Sequence, residues 1–234
     1  MKRDVHQRIN RFSLKINDKT LEKEYRNASV EDSINQFRYA YIMGILFFMS
    51  FIIIDYKAFP EVASTYVNIQ LFMVVPVLIL CLISTFIDAY KFYARYVNLI
   101  TVMAAGLGIM LMLIYGAESS NISMVYSSVI LVLMFLYAFF KMPFRDAFIV
   151  GTTMVVGFLY IEHLIIQPSE DIYLIHIFSL MCANITGASI AYVMEYQSKK
   201  ELLLKKTLSE SVIKYAITGL YNSHYFYKFL VTDI

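Results

Sequence analysis

Six stretches of this chain are apolar almost without interruption, and each is about as long as a lipid bilayer is thick. They run from Phe37 to Ile54, Tyr66 to Ile87, Tyr96 to Tyr115, Met124 to Phe140, Phe144 to Ile166 and Ile172 to Met194. At about 1.5 Å of rise per residue, about 17 to 23 residues suit a hydrocarbon core of about 30 Å. A lipid-exposed backbone group without a partner costs several kcal/mol, and runs of this length satisfy their own amides only as helices. A membrane β-barrel would need shorter, alternating segments. Hydrophobic residues make up 59% of the 234, against 16% charged, and their concentration into runs is not the pattern of a soluble domain. The sequence predicts an all-α membrane protein with six transmembrane helices, neighbours antiparallel because the connections are short.

Charge sets the orientation. Of the 20 Lys and Arg residues, all but Lys57 fall in the N-terminal arm, the second and fourth connections, or the C-terminal tail. The first, third and fifth connections instead carry Asp55, Glu61, Glu118, Glu170 and Asp171. By the positive-inside rule both termini of this multi-pass chain are expected in the cytoplasm. Topology accounts for the basic residues, so the net charge of +2 points to no nucleic-acid partner. No cleavable signal peptide is expected, since the first apolar run begins too far in and is too long. Cys81 and Cys182 lie within spans and are expected as buried free thiols.

Residues 1–36 form a charged cytoplasmic arm in which Leu21, Tyr25 and Ala28 recur at helical spacing. Asp18 or Thr20 could cap that short helix, and Ser29 with Asp32 resembles a capping box for a second one entering the first span. The arm is expected to lie as a surface helix at the headgroups, with a specific protein contact as the alternative. Residues 37–194 form the six-helix bundle. In it Ala183, Gly187 and Ala191, and likewise Ala104 and Gly108, are spaced by four, a period that lets backbones approach closely within one chain or across a dimer seam. Pro76 is expected to kink the second span, and Pro143 to sit at the start of the fifth. Residues 195–216 contain good helix formers with no Gly or Pro, so the last helix is expected to extend into the cytoplasm as a signalling helix. Leu204, Leu208 and Tyr215 fit a coiled-coil seam.

After this helix come Ile217, Thr218, Gly219, Leu220, Tyr221 and Asn222, then Tyr225 and Phe226. The stretch resembles the one that opens GGDEF domains, the catalytic domains of diguanylate cyclases. Gly219 permits a turn, Asn222 can cap the next helix, and Tyr225, Phe226, Phe229 and Leu230 supply its apolar face. Thr218, Gly219, Leu220, Asn222 and Phe226 carry the linker motif. Tyr215 stands where the family usually has Asp, and Ser223 and His224 replace its two Arg residues. The resemblance implies that residues 217–234 begin a GGDEF domain truncated before its catalytic signature. On this reading the chain as given is not an enzyme and holds no cofactor. GTP and magnesium would belong to the missing cyclase domain, and a homodimer is implied because that family works as dimers.

Ionisable and aromatic residues near the outer ends of the spans are the candidates for sensing: Asp55, Tyr160, Glu162, His163, Tyr173 and His176. The two His residues are expected at similar depth, roughly 10 Å from the midplane, where they could face one another. Ionisable groups inside spans tend to face the bundle interior, so a pocket there could take a small-molecule or ion signal; the alternative is a set of ordinary interfacial residues. No metal site is assigned, because two His and one Glu lack a defined third neighbour. Asn184 and Glu195 are assigned to helix packing and to the headgroup region. The functional expectation is a membrane sensor module signalling through its sixth helix to a diguanylate cyclase. The alternatives are a small six-span transporter or channel-like protein, which lacks support from paired broken helices or an internal repeat, and the sensor of an adenylate cyclase or histidine kinase.

Overall fold

The computed structural model describes residues 9–10, 14–119, 122 and 125–213, with side chains to residue 209, and its regular elements are all helical. Helix α1 is Lys19–Ala58, and α2 is Ala63–Ser84 with a π-helical turn at Gln70–Val74. Helices α3 and α4 are Tyr90–Tyr115 and Val125–Ala138. Helix α5 is Phe144–Ile166, closing in a π-helical turn at Glu162–Ile166, and α6 is Glu170–Ile213. All of these except α4 are long and apolar enough to cross a membrane. Helix α4, with 14 residues, covers about 21 Å and is shorter than a hydrocarbon core. The expectation of an all-α membrane protein stands, with the fourth expected span represented by this shorter helix.

The outward faces are those of a protein in lipid. Phe72 is 78% exposed and Phe178 72%, surface that would be costly in water and is not in a bilayer. Hydroxyls on the same faces hide their polarity. Ser50, Thr153, Ser179 and Ser189 each donate to the carbonyl four residues back, on Leu46, Ile149, Ile175 and Ile185.

Two compact units are formed, Arg26–Val193 and the described parts of Met1–Tyr25 with Met194–Ile234. In the larger unit α3 is the central helix, with more than half of its apolar stretch buried. Small residues let its neighbours come close: a Cβ at Gly108 would stand 2.6 Å from Val74 of α2. Tyr137 of α4 fills a slot between two glycines, Gly151 of α5 and Gly187 of α6, where added Cβ atoms would stand 2.4 and 2.2 Å from it. Its hydroxyl donates to Oδ1 of Asn184 at 2.6 Å, and Nδ2 of Asn184 donates to Oγ1 of Thr152 at 3.1 Å. Of the two roles left open for the small-residue stripe, Gly187 therefore serves packing within the chain. A second buried network ties α1 to α3, with Tyr41 donating to Oδ1 of Asn98 at 2.6 Å and Nδ2 of Asn98 donating to the Phe140 carbonyl at 3.3 Å.

Several local expectations change in the structure. The N-terminal helix and the first span are one helix from Lys19, capped by Asp18, whose Oδ1 accepts from the amides of Thr20 and Leu21. The Ser29 and Asp32 box is bypassed because the intervening residues are all helix-compatible. Pro76 does not act alone: its ring would press on the carbonyl four residues back, at Phe72, and the π-helical turn at Gln70–Val74 widens the helix there. Cys81 is a buried free thiol, but Cys182 is exposed beside Phe178, Met181 and Ile185 on the outward stripe of α6.

The smaller unit is organised around Lys199, which is 2% exposed. Its ammonium donates to the Leu14 carbonyl at 2.7 Å and lies 3.1 Å from Glu22 Oε1 and 2.9 Å from Glu195 Oε1. The Tyr25 ring lies beneath it, 5.0 Å from Nζ to centroid. The arm residues thus make a specific contact with the α6 segment of this unit, and Glu195, expected at the headgroups, is spent on that lysine. Lys199→Met leaves two carboxylates and a carbonyl without their cation, so amide exchange at residues 14–25 should accelerate while exchange in α3 stays unchanged.

The Tyr137 slot makes a separate prediction. Gly187→Ala drives a methyl into a fixed ring, whereas Gly157→Ala meets only the flexible end of Met110 at 2.7 Å. Thermal unfolding in detergent should show Gly187→Ala losing about 1–3 kcal/mol. Gly157→Ala should lose less; equal losses would contradict the slot.

Candidate functional site

Inside lipid a polar side chain must find its partner within the chain, so polar groups that are buried at the far ends of apolar helices are the places to look. The described residues hold two such clusters, both in the larger unit.

The first joins α5 to α6. Glu162 is 3% exposed and His176 7%, and Oε1 of the one lies 2.5 Å from Nδ1 of the other. The His176 ring stacks on Tyr126 of α4, with centroids 4.2 Å apart and planes 10° apart. Glu162 opens the π-helical turn of α5, in which the amide of Gln167 reaches back to the Glu162 carbonyl at 3.1 Å. Glu162 follows the buried Phe158 by one helical turn and points inward with it, while His163, next to it, is exposed. Gln167 takes a left-handed conformation, φ 48°, and ends the helix ahead of Pro168. Oε2 of Glu162 is buried with no hydrogen-bond partner among the described residues.

The second cluster joins α1 to α2. Asp55 is 4% exposed, and Oδ2 accepts from Nε2 of Gln70, itself 1% exposed, at 2.6 Å. Tyr66, one helical turn before Gln70, is fully buried and tilts against Phe59 with centroids 5.2 Å apart. Gly116 makes room for its hydroxyl, since a Cβ there would fall 1.8 Å from that oxygen.

The expected sensing residues therefore separate. Glu162 and His176 meet. His163 pairs with Tyr173 instead, ring centroids 5.3 Å apart, so the two His residues do not face one another. The Tyr173 hydroxyl donates to the Leu159 carbonyl at 3.3 Å, and Tyr160 points outward, 64% exposed. Asp55 belongs to the other cluster. Tyr66, Gln70 and Tyr126 were not singled out from the sequence; the amide Gln70 inside an apolar run, four residues after Tyr66, was the available signal for two of them. No group of three or more His, Cys, Asp or Glu able to hold a metal occurs among the described residues. The linker residues Thr218, Gly219, Leu220, Asn222 and Phe226 lie outside the described residues.

No family model matches the chain, and no curated protein matches it.

Chemically, the Glu162 and His176 pair is a bond between the end of one helix and the beginning of the next that an ion or a hydrogen-bonding ligand can make or break. Glu162→Ala should cost about 1–3 kcal/mol by leaving His176 buried without its partner. Glu162→Ala combined with His176→Ala should recover part of that loss, because neither polar group is then left without the other. Unfolding of Glu162→Ala, His176→Ala and the double variant in detergent measures the coupling; strictly additive losses would show that the pair is not an energetic unit.

Proposed function

We propose that the chain is a sensor module of a bacterial inner membrane, crossing it six times with both termini in the cytoplasm, and that α6 carries its signal to a diguanylate cyclase domain. The observation that carries the reading is the continuity of α6. It runs from Glu170 to Ile213 with no break at Glu195, where the last apolar run gives way to charged residues, and it leads toward the stretch at 217–226 that resembles a GGDEF opening. Input and output then share one helix. His176 lies in the second turn of α6 and is bonded to Glu162, so whatever alters that bond acts on the helix that leaves the membrane.

A homodimer fits the same reading. Leu204 and Leu208 are 39% and 60% exposed in the single chain, as a seam between two copies would require. Signals of the class considered are a small molecule or an ion arriving at the outer ends of the spans, with membrane lipid around the bundle and GTP and magnesium confined to the cyclase.

The reading is tested by joining the catalytic domain of a known diguanylate cyclase after Phe226 and measuring cyclic di-GMP in cells. Activity should depend on the membrane segment and change several-fold with Glu162→Gln. Inserting two residues before Ile213 should disturb it and inserting seven should restore it, because seven residues return the seam to register. Output indifferent to both insertions would contradict the proposal, and solute flux through the chain in liposomes would favour a transporter.

A further inference from the structure

Between α1, α2, α3 and α4 lies a cavity of about 100 Å³ whose walls are almost entirely hydrocarbon and aromatic. An apolar cavity of similar size, about 150 Å³, is large enough to hold benzene. One end is different. Asp55, Tyr66 and Gln70 line it there, each at least nine-tenths buried.

These three do not satisfy one another. Asp55 accepts from Nε2 of Gln70, which turns the amide so that Oε1 faces away from the carboxylate; the opposite orientation would set two oxygens against each other. Oε1 of Gln70 is then a buried acceptor without a partner among the described residues, and the Tyr66 hydroxyl is a buried donor and acceptor in the same condition. Buried polar atoms left in this state are costly, about 1–3 kcal/mol each, and are scarce in native structures. Tyr66 and Gln70 are one turn apart on the same buried face of α2. An open acceptor and an open donor, on two residues that line one apolar chamber, are the complement of a hydroxyl on a hydrocarbon body.

We propose that this cavity binds a small neutral alcohol or phenol, its hydroxyl donating to Oε1 of Gln70 and accepting from the Tyr66 hydroxyl while its body fills the apolar chamber. Entry is from the bilayer. Ile54 on α1 is half exposed, and Phe51 on α1 and Leu131 on α4, both partly exposed, line the same cavity, so an apolar molecule dissolved in lipid reaches it sideways. The binding does not rest on the sensor reading, since it is measured on the chain alone with no output domain.

The test uses the full chain in lipid nanodiscs and a diazirine derivative of hexanol as photoreactive probe, with labelled peptides located by mass spectrometry. Labelling should concentrate on cavity-lining segments of α1, α3 and α4, and phenol should compete about tenfold better than benzene, the worth of about one hydrogen bond. Tyr66→Phe removes only the hydroxyl and should lower labelling about tenfold. Gly44→Leu places bulk at the wall, where a Cβ meets Leu78 at an ordinary 3.5 Å, and should abolish it. Labelling spread over outward residues such as Phe72 and Phe178, benzene competing as well as phenol, or labelling unchanged in folded Tyr66→Phe would each overturn the proposal. Should Tyr66→Phe fail to fold, the phenol and benzene comparison on the unaltered chain decides alone.

Discussion

A hydrocarbon solvent offers nothing to hydrogen-bond with, and that single deficiency organises this molecule. Backbone amides are satisfied by helix formation along each apolar run, and outward hydroxyls such as Ser50 and Thr153 turn back onto their own helix. Inward polar groups must find one another instead, and where they do they tie helices together: Tyr137 to Asn184 links α4 to α6, and Tyr41 to Asn98 links α1 to α3. Close packing adds to this through glycines that accept a neighbour's ring or branch, as Gly187 does for Tyr137.

The same rule gives meaning to its exceptions. Oε2 of Glu162, Oε1 of Gln70 and the Tyr66 hydroxyl are buried without partners among the described residues, and Glu162 and Gln70 each open a π-helical turn. A π-helical turn gives up regular helix geometry, and one that also buries an unsatisfied polar atom costs stability twice. Such positions are natural places for function, because the missing stabilisation is available to whatever ligand or ion completes them. One of the two joins α5 to the start of α6, the helix proposed to carry the output; the other heads a chamber reachable from the bilayer.

How far the sequence could be read depends on the kind of signal each feature leaves. Apolar runs and their lengths leave a strong one, and the helices fall on the expected runs apart from the shortening at α4 and the fusion of the arm helix with the first span. Orientation of a side chain within a span leaves a weak one. His163 and Glu162 are adjacent in a span that is apolar nearly all round, so the sequence does not mark which side is inward; Glu162 continues the buried face of Met154 and Phe158, and His163 does not. His176 therefore meets Glu162 and not the histidine it could have faced. Asp55 was legible as an ionisable group at the end of a span, but its partner Gln70 and the neighbouring Tyr66 are uncharged and were hidden in an apolar run. Cys182 was placed in the interior by residue type alone, whereas its stripe on α6 faces lipid. The contact of Leu14 and Glu22 with Lys199 joins residues far apart in the chain and could not be anticipated from spacing.

The account rests on α6 emerging on the cytoplasmic side of the membrane, the side to which the basic residues were assigned. Single cysteines at Glu118, Lys141 and Ser198, introduced in a background with Cys81 and Cys182 replaced by alanine, can be treated with a membrane-impermeant maleimide on intact cells and again after permeabilisation. The account predicts that Glu118→Cys reacts in intact cells, while Lys141→Cys and Ser198→Cys react only once the membrane is opened. Reaction of Ser198→Cys in intact cells would place the signalling helix outside and contradict it.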